Sequence, residues 1–93
     1  MAKYRIKIKS SAVKELEKIP KKDLKRLTKR ILSLSDNPRP RGCEKLSAQE
    51  KYRLRQGNYR IIYSIEDEIL IVYVVKIGHR KEVYKKIKNT SKI

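Results

Sequence analysis

The chain has 93 residues, 39% of them apolar and none of them Trp or Phe, and its 26 Lys+Arg against 10 Asp+Glu give a formal net charge of +16. This length predicts one small domain, residues 1–93, with a single core. No run approaches the ~18 apolar residues of a membrane span, the start Met1-Ala2-Lys3-Tyr4 lacks the apolar stretch of a signal peptide, and one cysteine, Cys43, excludes an intramolecular disulfide and fits a reducing cytoplasm.

The charge draws the domain toward polyanions or an acidic protein. Self-repulsion weakens the isolated fold, so an acidic partner stabilises it. The plain alternative is a solvated, Lys-rich surface.

Lys3 to Lys9 alternates Tyr4, Ile6 and Ile8 with Lys3, Arg5, Lys7 and Lys9, which predicts a half-buried strand. Ser10 or Ser11 is placed to cap a helix carrying Ala12, Leu16 and Ile19. Pro20 closes that helix or opens the next. From Lys21 to Ser35, Leu24, Leu27, Ile31 and Leu34 form one apolar stripe. The two helices read as a hairpin packed on a sheet, its basic outer face turned to solvent or to nucleic-acid backbone.

Asp36 to Gly42 is a loop. Arg39 and Arg41 are there either for the connection or as a basic loop beside an anion. Lys45-Leu46 docks before the next strand.

Two β-hairpins follow between Tyr52 and Ile77. The first turns at Gly57-Asn58, a dipeptide suited to positive φ. With a two- or four-residue loop, Arg55 lies opposite Arg60 and Leu54 opposite Ile61. Arg53, Arg55 and Arg60 then share one face with Ile62, Tyr73 and Val75, while Tyr52, Leu54, Ile61 and Tyr63 share the core face. Tyr59 and Tyr63 are assigned to the core. Like charges directly opposite in a sheet repel, so their retention points to a bound anion. The strand Ile69 to Ile77 is apolar on both faces as far as Val75 and reads as central. It delivers Gly78-His79-Arg80 toward the same turn. On a helix starting near residue 80, Arg80 and Tyr84 share a face. Glu66-Asp67-Glu68, at a hairpin tip without His or Cys, makes a poor metal site. No Gly-rich phosphate loop or Ser-His-Asp set is present. No metal or other cofactor is expected.

The run Tyr52-Arg53-Leu54-Arg55, Tyr59-Arg60-Ile61-Ile62-Tyr63 and Ile77-Gly78-His79-Arg80-Lys81-Glu82-Val83-Tyr84 closely resembles the RelE toxins of toxin–antitoxin pairs. Asn37-Pro38-Arg39-Pro40 and Ala12-Val13-Lys14-Glu15-Leu16 fit the same pattern, and the resemblance covers about residues 3–88. With the element order it implies an α+β fold: a small, mainly antiparallel four-stranded sheet, an N-terminal αα-hairpin packed on it and a short C-terminal helix (β-α-α-β-β-β-α). It also implies an mRNA interferase that cuts messenger RNA in the ribosomal A site and is silenced by an acidic, RelB-like antitoxin. The implied partners are that antitoxin, the ribosome and mRNA, in the cytoplasm and without a membrane.

On this resemblance Arg60 and Arg80 match the catalytic arginines, and Tyr84 a tyrosine near the scissile nucleotide. Arg53 and Arg55 match basic positions that grip the backbone, and Arg39, Arg41 and Lys45 extend that set. In some family members the positions of Arg53 and Arg55 hold lysines proposed for proton transfer. Arginine stays protonated and is a poor general base. His79 titrates in the right range and is the candidate base, with a phosphate contact or a plain turn residue as alternatives. Two other readings stay open: a non-enzymatic, ParE-like toxin binding a protein such as gyrase, and a basic RNA-binding module.

Overall fold

The computed structural model describes residues 3–46 and 50–79. Its elements are β1 (Arg5–Ile8), α1 (Ser10–Glu17), α2 (Lys21–Ser33), β2 (Glu44–Leu46), β3 (Lys51–Gln56), β4 (Tyr59–Glu66) and β5 (Ile71–His79). The strands form one sheet in the order β1-β5-β4-β3-β2. β1 pairs with β5 in parallel, and the other pairs are antiparallel. The expected α+β fold and helix pair are present. The sheet has five described strands, not four, because Glu44–Leu46 pairs with β3. Three residues are too few to show alternation, so only the pairing reveals this strand. The expected C-terminal helix lies outside the described residues.

The helices cover one face. Ala12, Leu27, Ile31 and Leu34 pack there with Leu54, Ile61, Tyr63, Val72, Val74 and Ile77. Neither Ser10 nor Ser11 caps α1; Lys9 holds the N-cap position without a side-chain hydrogen bond, and its carbonyl accepts from the amides of Ala12 and Val13. Pro20 is the N-cap of α2. A proline is tolerated there because its missing N–H belongs to a position with no intrahelical partner. Asp23 in the first turn of α2 complements the positive helix end.

The first hairpin has a two-residue turn, with Gln56 opposite Tyr59 and Gly57 at φ +59°. The strand after the second turn begins later than expected. Ile69 and Leu70 lie outside the strand, Ile69 is exposed and Leu70 takes φ +52°. β5 is an interior strand. Its pairing with β4 contains a bulge at Ile62/Tyr63. β1 covers β5 only from Ile71 to Val74. Beyond that, the Ile77 amide donates to Glu15 Oε1 at 3.2 Å, and the same carboxylate pairs with Lys76. Glu15 of α1 thus caps an open strand edge with a side chain.

Candidate functional site

The β3–β4 register places Arg55 directly opposite Arg60, and Arg53 opposite Ile62. All three arginines lie on the sheet face away from the helices, because Leu54 and Ile61 between them point into the core. Arg60 is 4% exposed. Its Nε is buried and has no hydrogen-bond partner among the described residues. Burying a guanidinium costs several kcal/mol unless it is paired. The residue across the ladder is another cation, which adds to that cost. An arriving phosphate offers charged acceptor oxygens and relieves both.

Arg53 is already engaged. Its guanidinium donates to Glu44 Oε2 at 2.6 Å, across the β2–β3 pair. That hydrogen bond holds the Glu44 carboxyl below its ordinary range, with the charges of Arg53, Arg55 and Arg60 pulling in the same direction. Glu44 is therefore an acidic side chain that shares the field of all three arginines. Nothing local in Cys43-Glu44-Lys45 signalled it; the strand pairing does. Lys45 is exposed and lies opposite Tyr52, on the other face from Arg53.

Arg39 sits at the opposite end of the sheet. It donates to both carboxylate oxygens of Asp67, at 3.1 and 2.9 Å, and to the Tyr52 hydroxyl at 3.2 Å. Its guanidinium carbon lies 5.3 Å from the Tyr52 ring centroid. Asp67 follows the C-terminal end of β4 and Arg60 is near its start, roughly 20 Å apart along the strand. The structure does not bring Arg39 beside Arg60. Arg41 is exposed on the same loop.

His79 lies near the Gly57 turn but across the sheet from the arginines. It pairs with Tyr59, and the two rings meet edge to face at 6.1 Å and 78°. Gly78, not His79, is opposite Arg60. The imidazole therefore stands on the helix side, beside Asp23 and Arg26 of α2. Arg80 and Tyr84 lie outside the described residues. Among the described residues no cluster of His, Cys, Asp and Glu could hold a metal ion, and no helix is long and apolar enough to cross a membrane.

This fold has known counterparts. Residues 6–84 match the family model described as the ParE toxin of the type II toxin–antitoxin system parDE. A RelE-like toxin protein of Escherichia coli is 30% identical over 81 residues, covering 85% of either chain. The mRNA interferase toxin RelE of Escherichia coli K12 is 30% identical over 77 residues, covering 78% of this chain and 81% of that one. Among solved structures, the archaeal RelE–RelB complex from Pyrococcus horikoshii contains a chain with 32% identity and a TM-score of 0.75, covering 83% of this chain and 94% of that one. The chain thus belongs to the RelE/ParE superfamily of toxins from type II toxin–antitoxin systems.

Proposed function

We propose that this toxin is an endoribonuclease that cuts messenger RNA in the ribosomal A site, acting in the cytoplasm. One observation carries the reading: a buried Arg60 whose Nε has no partner among the described residues, held directly opposite Arg55. The similarity to a relative named an mRNA interferase supports it. The reaction is attack by the RNA's own 2′-hydroxyl on the adjacent phosphorus. The 2′-oxygen loses its proton, the bond to the 5′-oxygen breaks, and that oxygen takes a proton. Negative charge grows on the non-bridging oxygens, where a preoriented guanidinium acts most strongly.

In this proposal Arg60 and Arg80 stabilise that charge. Tyr84 contacts the scissile nucleotide by stacking or through the 2′-hydroxyl, and Arg53 and Arg55 hold the flanking phosphates. Arg80 and Tyr84 enter on sequence resemblance alone. His79 makes a nucleotide contact in this scheme, because it stands across the sheet from Arg60. The partner is an acidic, RelB-like antitoxin, supported by the net charge of +16 and by relatives solved as RelE–RelB complexes. Primer extension on translated mRNA, with and without the protein, tests the reading. Discrete stops within codons are expected, and their loss in Arg60→Ala.

The match to a ParE model favours a second reading, a toxin that binds a protein target without cleaving RNA. An unbroken mRNA during growth arrest, with Arg60→Ala still toxic, would select it.

A further inference from the structure

At the Gly57–Asn58 end of the sheet, on the helix side, lies a cleft of about 230 Å³ lined by Asp23, Arg26, Gln56, Asn58, Tyr59 and His79. It is built differently from the arginine face. Two rings stand edge to face, two primary amides each offer a donor and an acceptor, and one carboxylate lines the wall. In a chain of net charge +16, an acidic side chain at this spot repels phosphate. It instead suits a hydrogen-bond donor. The Tyr59 hydroxyl reaches Asp23 only at 3.4 Å, too long to be a strong bond, so the carboxylate retains capacity to accept. The imidazole has no hydrogen-bond partner among the described residues, and it meets the edge or face of the Tyr59 ring.

We propose that this cleft binds one unpaired nucleobase carrying an exocyclic amino group, as a specificity pocket for single-stranded RNA held on the arginine face. Aromatic rings and a guanidinium plane are the surfaces on which unstacked bases lie, and their edges are read by hydrogen bonds. Asn and Gln pair with adenine, and a carboxylate accepts from the amino group of cytosine. The positions fit one strand. Tyr59 and Arg60 are consecutive, and their Cα atoms are about 3.8 Å apart, yet their side chains leave opposite faces. A chain crossing the sheet end at the two-residue turn places a phosphate on Arg60 and a neighbouring base beside Tyr59. The groove continues along α2, where Arg26, Lys29 and Arg30 adjoin Gln56, giving the backbone a cationic path onward.

The inference rests on the RNA reading above, and the test separates the two. The chain has one histidine, so its ring signals in nuclear magnetic resonance report on this cleft alone. The full chain is titrated with the four nucleoside 5′-monophosphates and with ribose 5-phosphate. Saturable shifts of the His79 ring with AMP, GMP and CMP, weaker with UMP and absent with ribose 5-phosphate, are expected. Asp23→Asn weakens the amino-bearing nucleotides roughly tenfold and leaves UMP unchanged; Gln56→Ala serves if that variant does not fold. Equal shifts with ribose 5-phosphate, no shift with any nucleotide, or a pattern unmoved by either cleft variant overturns the pocket. Shifts as expected from a protein that leaves translated mRNA uncut would keep the pocket and defeat the cleavage reading.

Discussion

The hairpin of β3 and β4 carries an arginine cluster at one end and an arginine clamp at the other, and the two ends treat the same side chain in opposite ways. At the Asp67 end, Arg39 is bound through two carboxylate oxygens and a phenol, and Asp67 also accepts from the Tyr4 hydroxyl at 2.7 Å. Beneath this clamp Tyr52 stacks on the fully buried Tyr63, with ring centroids 5.8 Å apart. The charges there are matched inside the protein. At the Gly57 end, Arg60 is buried against Arg55, with Nε unbonded among the described residues. One end spends its arginine on holding a loop to the sheet; the other leaves guanidinium capacity for something that arrives from outside.

The largest expected effect breaks the comparison directly. Arg60→Ala should lower cleavage roughly a hundredfold, about 3 kcal/mol, the scale for losing one oriented donor at a developing oxyanion. Its melting temperature should hold or rise, because a buried cation facing another is removed. Arg39→Ala should do the reverse: a lower melting temperature, with the rate per folded molecule unchanged. Thermal melts and primer extension on both variants decide it. Matched activity losses in the two would erase the distinction between the ends.

A second, smaller effect belongs to the clamped end. The Tyr63 hydroxyl donates to the Pro38 carbonyl at 2.8 Å, and burial pushes the phenol above its ordinary range. Tyr63→Phe keeps the ring and orphans that carbonyl, a cost of about 1–3 kcal/mol. Chemical denaturation should show the loss while the RNA-binding salt dependence stays as in the wild type.

The contrast also marks what the sequence could and could not convey. Gly57-Asn58 sets a tight turn, and with alternation it places Arg55 against Arg60 and Leu54 against Ile61 without any tertiary knowledge. Arg39 was ambiguous because its partner, Asp67, is 28 residues away and only the fold brings them together. His79 was expected to converge with the arginines because the strand Ile69 to Ile77, with Tyr73 and Val75 on the arginine face, delivers Gly78-His79-Arg80 toward their turn. The bulge opposite Ile62/Tyr63 breaks the strand's alternation. Val74 and Ile77 are both buried in the core, an odd spacing that a regular strand forbids, so His79 ends on the helix side. A bulge of this kind inserts a residue without a sequence signature strong enough to read here. Asp23, Gln56 and Asn58 were missed for the same reason: they become a cleft only once His79 joins Tyr59.

Glu44 offers a way to sharpen the open end. It is the carboxylate that already occupies Arg53, so it competes with an RNA phosphate. Glu44→Gln should tighten binding to single-stranded RNA a few-fold, in keeping with the modest worth of a partly exposed ion pair. The gain should shrink as salt rises. If about six phosphates are neutralised, log affinity against log salt has a slope of roughly −4 for the wild type. Fluorescence anisotropy in increasing KCl measures both quantities. An unchanged affinity in Glu44→Gln would mean that RNA leaves Arg53 where it is.

The smallest effect is the acid response of the clamp. Hydrogen bonds from Arg39, and next from Tyr4, pull the Asp67 carboxyl down to about 2. The folded value lies below the unfolded one, near ~3.9. Stability from this group is therefore fully present above the unfolded value and is lost as pH falls through the folded one. The window runs from about pH 4 to about pH 2. Both side chains are well exposed, at 44% and 54%, so salt screens the pair and its contribution stays small. Asp67→Asn should melt lower than the wild type at pH 6 and lose less between pH 4 and pH 2, with the difference narrowing at high salt. On the arginine face the Glu44 carboxyl is lowered as well, in the same direction; Glu44→Gln serves as the control for its share. Parallel melting curves for wild type and Asp67→Asn across that window would show that the Arg39 end is held by ring packing and the Tyr63–Pro38 bond, with the ion pair as a bystander.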